Sequence, residues 1–219
     1  MKRETLGELA EDYFTAVMDA SPFDATVLGV RGWDAEVPDL SEAGDAETDR
    51  RLAGLELRLA TVDAGGLGPQ DRVTLAMLGR GLADRRAELA ARWPELTVSA
   101  TMSGIQTAVL GLVPKVTLAT PAQATDYLER CGKLAGCLDQ AGDRLRAGLA
   151  GGRTPPALGV RAAVRQLDTS LAGPPADDPL LAPPPPAGTD ADGFRERLAE
   201  VVAGSVRPAM ARYRDLLAG

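Results

Sequence analysis

The 219-residue chain contains no histidine, and this absence restricts its chemistry more than any other feature of its composition. Without imidazole the chain cannot form a His-based catalytic triad or a metal site with histidine ligands. Only two cysteines are present, Cys131 and Cys137, six residues apart in a helical pattern. Six residues correspond to about 600° of helical rotation, so the two side chains point in different directions and cannot form a disulfide within one helix. We therefore expect no metal or cofactor in this chain, and we interpret both cysteines as small core residues in a reducing cytoplasm.

Long apolar runs and an excess of basic residues are also lacking. No stretch approaches the roughly 18 consecutive apolar residues of a membrane span. Glu4, Glu8, Glu11 and Asp12 lie where a secretion signal would have its apolar region. The net charge is −7, whereas nucleic-acid-binding proteins normally present a basic face. The sequence predicts a cytoplasmic protein that binds neither nucleic acid nor membrane.

The chain is rich in aliphatic residues that recur at helical spacing. Apolar residues make up 45% of the sequence and aromatic residues only 4%. Spacings of three and four residues between leucines and valines predict an all-α fold, an antiparallel bundle of about seven to nine helices. The predicted helices cover roughly 5–19, 22–28, 45–63, 69–91, 102–111, 121–149, 155–171 and 190–217. The helix at 121–149 is the long central one, and capping boxes are expected at Thr5 with Glu8 and at Thr120 with Gln123.

Prolines divide the predicted bundle into three parts. Seven prolines lie within residues 173–189, which excludes a helix and predicts a semi-rigid, solvated connector on the surface. Residues 1–172 then form the main bundle, and residues 190–219 form a C-terminal helical segment that packs on it. Pro208 falls inside this last segment, so we expect a break or kink near Gly204–Ser205, with Ser205 capping a new helix.

One stretch departs from the helical rhythm, SPFDATVLGVRGWDAEVPDLS at residues 21–41. Turn-forming residues crowd together here, and the stretch contains one of the two tryptophans. We take Asp24, Arg31, Trp33 and Asp34 as candidate binding residues. Two interpretations stay open: Trp33 fills a gap between the first two helices while Asp24 or Asp34 caps a backbone turn, or the stretch docks against another part of the protein or lines a channel.

The same stretch carries a family resemblance. Pro22, Ala25, Thr26, Leu28 and Gly29 fit a P-x-x-AT-x-LG pattern, and Asp34, Pro38, Asp39 and Ser41 fit D-x-x-x-PD-x-S. Together with SVRPAMARYRDLL near the end of the chain, these residues resemble the N-terminal part of a large bacterial family, domain of unknown function 885. Members of that family are much longer and look like helical zinc metallopeptidases, with an HExxH-type zinc helix in the C-terminal half. No position of this chain matches a zinc ligand or the general-base glutamate of that motif.

The resemblance implies a scaffold that forms one wall of a substrate channel and is not catalytic by itself. Its partner would be a C-terminal catalytic half, with zinc implied only for the full-length family. Surplus apolar residues would then be exposed and promote self-association. They are Trp33, Val37, Ile105, Val109, Leu112, Val113, Met210 and Tyr213. The alternatives are a free-standing helical module that binds a small molecule or a protein, and a metal-free enzyme that uses Asp24 with Asp34 as acid and base.

Overall fold

The computed structural model describes residues 5–101 and 104–219, and these residues form helices and connecting turns without β-strands. The α-helices are α1 (Leu6–Ala20), α2 (Pro22–Val27), α3 (Glu42–Leu59), α4 (Pro69–Ala91), α5 (Ile105–Gly111), α6 (Pro121–Ala150), α7 (Ala157–Ala172), α8 (Ala191–Val201) and α9 (Arg207–Ala218). The predicted all-α bundle with one long helix is confirmed. The predicted start of α5, Met102, lies outside the described residues.

The chain forms two compact units, each with its own hydrophobic core. Unit 1 contains the chain up to Ala20 and Glu42–Trp93, whereas unit 2 contains Ser21–Ser41 and Pro94–Gly219. The chain therefore leaves unit 1 for the odd stretch and returns to it afterwards. The boundaries of these units differ from those of the three predicted segments, because residues 1–172 contribute to both cores.

Unit 1 is built from α1, α3 and α4, which pack against one another. The predicted capping box begins α1: the Thr5 amide donates to Glu8 Oε2 at 2.7 Å, and the Glu8 amide donates to Thr5 Oγ1 at 3.2 Å. Leucines at helical spacing fill the space between the three helices. The buried core residues are Leu9, Ala16, Leu52, Leu55, Leu59, Leu78 and Leu82.

Helix α6 is the centre of unit 2, and α5, α8 and α9 pack against it. Its 30 residues extend over about 45 Å. The predicted capping box of Thr120 and Gln123 is present, with Pro121 in the first turn. Both cysteines lie on α6 as free, buried thiols, which confirms their assignment to the core.

The Pro-rich segment is exposed over much of its length, but it is anchored to unit 2 at a few buried residues. It contains two short 3₁₀ helices, Pro175–Asp177 and Pro179–Leu181, and Leu180 is fully buried. The Tyr127 hydroxyl donates to the Leu180 carbonyl at 2.9 Å, and Arg207 pairs with the buried Asp178 at 3.1 Å. The expectation of full solvation is wrong at these anchored residues, because partners from α6 and α9, distant in sequence, bond polar groups that the local sequence leaves to water.

The predicted irregularity near Gly204–Ser205 is present, but it takes the form of a π-turn and not of a newly capped helix. A π-turn at Val202–Val206 connects α8 to α9, and Ser205 does not cap a new helix. Pro208 has no N–H to donate and would crowd the carbonyl of a regular α-helix. The wider π-turn just before it relieves this conflict where α8 ends and α9 begins. Helix α9 then packs on α6 and α7.

The surface apolar residues proposed from the sequence are largely core residues of unit 2. Ile105, Val109, Val113, Met210 and Tyr213 are buried. Trp33, Val37 and Leu112 are partly buried. The expected exposed patch therefore does not consist of these residues. Among the described residues, no helix is both long enough and apolar enough to cross a membrane.

Candidate functional site

The odd stretch begins as a short helix and then makes two tight turns. Pro22 occupies the first turn of α2, where its missing N–H costs no hydrogen bond. Gly29 and Gly32 adopt φ values of +70° and +104°, a region that residues with a Cβ rarely enter. These glycines explain why the helix ends at this point and how the chain turns before Trp33.

Asp34 closes the second turn. Its carboxylate accepts a hydrogen bond from the Gly32 amide at 3.3 Å and forms a salt bridge with Arg31 at 3.0 Å. The Arg31 side chain is 58% exposed and that of Asp34 only 20%. This geometry agrees with the structural interpretation in which Asp34 caps a backbone turn.

Residues 33–40, which we call the strap, continue along one face of α6. Strap groups pair with α6 side chains at positions 130, 133, 137, 140 and 144, a spacing of three or four residues that follows a single helix face. The pairs are Trp33 with Arg130, Glu36 with Lys133, Pro38 with Cys137, and Leu40 with both Gln140 and Arg144. The odd stretch is thus fixed to the central helix along its length.

Arg130 connects the strap with α2. Its side chain is buried, one nitrogen donates to Thr26 Oγ1 at 2.7 Å, and another donates to the Trp33 carbonyl. The guanidinium carbon lies 5.7 Å from the centre of the Phe23 ring, within range of a cation–π interaction. Burial lowers the pKa of Arg130, although nearby acids, Asp34 first, oppose this effect.

A cleft of about 350 Å³ lies beside this arginine. Three segments of unit 2 line it: the end of α2 with the turns that follow, the chain after α5, and the first turns of α6. The lining residues are Thr26, Val27, Gly29, Val30, Arg31, Asp34, Leu112, Lys115, Val116, Thr117, Leu118, Gln123, Tyr127 and Arg130. The cleft combines cationic side chains with an aliphatic surface, an arrangement typical of small-molecule sites.

The structure brings together only part of the predicted site. Arg31 and Asp34 line the cleft, and Trp33 contributes its carbonyl to Arg130. Asp24 is exposed in the first turn of α2 and is not among the lining residues, so the structure does not pair it with Asp34 as an acid and a base. The binding role of these residues stays a prediction.

Arg130 and Lys115 are cleft residues that the sequence reasoning missed. One signal was available for Arg130: it occupies a position in the apolar stripe of α6, between Tyr127 and Leu134. An arginine at such a position must find hydrogen-bond acceptors in the interior. No comparable signal singled out Lys115, which lies in the 3₁₀ turn Val113–Lys115.

The pKa of a further acid on α6 is shifted by the same charged groups. Asp126 is half-buried, and its pKa is raised by burial first and then by the negative charges of Asp34 and Glu129. The charge of Arg130 opposes this shift. The acids around the cleft therefore repel additional negative charge, while its arginines and lysine attract it.

The available residues do not fit the zinc ion that the family resemblance implies for longer members. In the described ranges, 5–101 and 104–219, no three cysteine, aspartate or glutamate side chains lie close enough to hold a metal. Burial raises the pKa of both Cys131 and Cys137 to about 12, which disfavours the thiolate that zinc requires. We therefore assign no metal chemistry to this chain.

Two other clefts have different linings. One, of about 450 Å³, lies in unit 1 between the start of α1 and the turn after α3. The other, of about 370 Å³, lies in unit 2 between the end of α6, the start of α7 and the end of α9. Arg130, which is buried and bonded to neutral groups, lines neither of them, so we take the cleft at Arg130 as the candidate site.

The fold and this site define an all-α protein whose central helix carries a docked N-terminal strap beside a small cleft. The chain belongs to the bacterial proteins of unknown function DUF885, whose family model matches residues 22–219. No curated protein matches the chain in sequence. A solved structure described as "the putative lipoprotein from Colwellia psychrerythraea" has a similar fold, with a TM-score of 0.78 at 13% identity over 98% of this chain. This chain spans 41% of the length of that protein.

Proposed function

We propose that this chain is the helical scaffold part of a larger, metallopeptidase-like protein, in which it forms one wall of the substrate channel and catalyses nothing by itself. The observation that carries this proposal is the length relation: nearly the whole chain corresponds in fold to 41% of a longer solved chain. A part of that size, with two cores of its own, is suited to support a second, catalytic part. The zinc and the peptidase activity belong to the proposal only through the family resemblance.

The chemistry of the chain supports a non-catalytic role. The sequence offers no histidine, and its two thiols are buried on one helix. The side chains of Asp24 and Asp34 do not share the cleft, so the alternative of a metal-free enzyme that uses this pair as acid and base loses its geometric basis. The geometry favours a rigid surface formed by the strap and α6, because hydrogen bonds and an ion pair fix the strap to the helix.

The proposed partner is the catalytic half of the family, supplied by the same polypeptide or by another. The acidic net charge of −7 supports a protein partner over nucleic acid. We place the chain in the cytoplasm as part of this proposal, while the solved structure with the similar fold is described as a "putative lipoprotein". Cell fractionation with an antibody against the chain tests the location, and recovery in the membrane fraction would contradict it.

The proposal predicts that the purified chain hydrolyses no peptide. A panel of fluorogenic peptides, measured with and without a chelator, should give rates equal to those of buffer. Turnover that copurifies with the chain and stops with the chelator would assign a metal site to it, and turnover that survives the chelator would revive the metal-free enzyme. Either result would overturn the scaffold proposal.

A second candidate function is a free-standing module that binds a small molecule, favoured by the cleft at Arg130. Sequencing the reading frame around the coding segment separates the two candidates. An in-frame continuation that encodes a histidine-bearing zinc motif supports the scaffold. A stop codon directly after Gly219 supports the free-standing module.

A further inference from the structure

Arg130 carries a buried positive charge whose hydrogen-bond acceptors are all neutral. These acceptors are the Thr26 hydroxyl and the Trp33 carbonyl, and the Phe23 ring lies against the guanidinium. Its Nε has no hydrogen-bond partner, and no carboxylate among the described residues forms an ion pair with it. A buried charge is unfavourable unless an opposite charge or several hydrogen bonds compensate for it.

Two other arginines of unit 2, the buried Arg144 and the half-buried Arg207, are arranged differently. Arg144 lies 3.5 Å from the buried Glu95, and Arg207 lies 3.1 Å from the buried Asp178. In both cases the fold provides an acid of its own. Arg130 has no ion-paired acid among the described residues, and Asp34, the acid that acts on it most strongly, is paired with Arg31 instead. A bound anion would supply a partner of this kind.

The cleft beside Arg130 has the composition of an anion site with an apolar wall. Arg31 and Lys115 add two exposed cations to its lining, while Val30, Val116 and Leu118 supply aliphatic surface. Asp34 also lines the cleft, paired with Arg31. Because its carboxylate repels other negative charges, Asp34 disfavours a doubly charged anion such as phosphate more than a singly charged one.

We propose that the cleft binds a small aliphatic carboxylic acid in its ionised form. The carboxylate contacts the exposed cationic side chains of Lys115 and Arg31, and the buried charge of Arg130 attracts it from behind the cleft surface. The hydrocarbon part contacts the valines and leucine of the wall. A volume of about 350 Å³ admits a compact ligand of this kind. All of these residues lie in unit 2, so the inference does not rest on the proposed scaffold function.

The test is a titration of the full chain with butyrate, followed through backbone amide signals in NMR. Butyrate should shift the amides of residues 30–34 and 115–118 with a saturable curve. Acetate should bind more weakly because it lacks the hydrocarbon part. Butylamine, with the same hydrocarbon part and the opposite charge, should cause no shift there, and inorganic phosphate should bind more weakly than butyrate.

Two exposed variants keep the test independent of folding. Lys115→Gln and Arg31→Gln should each weaken butyrate binding by about tenfold, because each removes a charged partner. Arg161→Gln is the matched control, since Arg161 is exposed, lies in the same unit and lines the 370 Å³ cleft instead. Arg130→Lys keeps the buried charge but cannot donate to both Thr26 and the Trp33 carbonyl, which hold the wall of the cleft in place. It should also weaken binding in a chain that circular dichroism shows to be folded.

Three results would overturn the inference. Butyrate that causes no saturable shifts shows that the cleft does not take a carboxylate. Equal shifts with butylamine show that charge plays no part. Loss of binding in Arg161→Gln rather than in Lys115→Gln places the ligand in the other cleft.

Discussion

Arg130 and Arg144 occupy positions of α6 where the apolar periodicity favours leucine. Both form hydrogen bonds with segments that are distant in sequence. Arg130 donates to Thr26 and to the Trp33 carbonyl, and Arg144 donates to the Leu40 carbonyl. Their multiple donors bind backbone and hydroxyl oxygens that would otherwise be buried without partners. Individual buried cations thus define where the strap lies.

Cys131 and Cys137 lead to a prediction about alkaline pH. Burial raises the pKa of each thiol from 9.0 to about 12, so the folded chain keeps its protons when the unfolded chain releases them. The free energy of unfolding therefore falls as the pH rises above about 9, and this loss continues up to the folded pKa near 12. Between pH 8 and pH 10 the two thiols together should account for a loss of about 2–3 kcal/mol.

Urea unfolding of the reduced protein at both pH values measures this loss. A Cys131→Ala/Cys137→Ala double variant should lose correspondingly less stability between pH 8 and pH 10. Leu138→Ala is the control, because it removes a buried side chain from the same helix without removing a thiol. An identical pH dependence in the parent and the double variant would contradict the assignment of the loss to these thiols.

At the scale of elements, local sequence determines where the helices begin, whereas the residues that pack around each element are not determined locally. Capping boxes and first-turn prolines place the starts of α1, α4 and α6 where the sequence predicts them. The anchoring of the Pro-rich segment and the π-turn before α9 were not predicted from the sequence. In both cases a long-range contact or a neighbouring turn resolves a conflict that proline creates locally.

The Pro-rich segment yields a prediction with a matched pair of variants. Leu180→Ala should lower the free energy of unfolding by about 2–4 kcal/mol, because the side chain is fully buried in the core of unit 2. Pro184→Ser, four residues further along and exposed, should change it by less than about 0.5 kcal/mol. Urea unfolding measures both changes. Similar small changes in the two variants would restore the solvated connector that the sequence suggests.

At the scale of the whole molecule, two cores share one chain that passes between them three times. The core of unit 1 consists mainly of leucines from three helices, and the core of unit 2 surrounds α6. Local opening reactions follow such cores, because amide protection depends on the apolar contacts around each helix.

Hydrogen exchange tests this division. Leu55→Ala should increase exchange mainly in α1, α3 and α4, whereas Leu134→Ala should increase it mainly in α6, α8 and α9. Both leucines are buried, one in each core, so the two variants are controls for one another. A uniform increase across both units in either variant would show that the described chain opens as a single body.

The sequence by itself determined the fold class, the long central helix, the helix caps and the burial of the cysteines. These features depend on periodicity, on turn residues and on contacts a few positions apart, which a single sequence displays directly. It also identified residues 21–41 as unusual, and family membership agrees with the motifs found there.

Only the tertiary structure decided what that stretch does. Arg130 and Thr26 are 104 residues apart in sequence, and Leu40 and Gln140 are 100 apart, so no local pattern could pair them. The cleft combines three segments in the same way, and for this reason Asp24 was included in the site and Lys115 was not. Pairing across such distances is selected by the burial of the core and by the need to satisfy every buried polar group, both of which are properties of the whole fold.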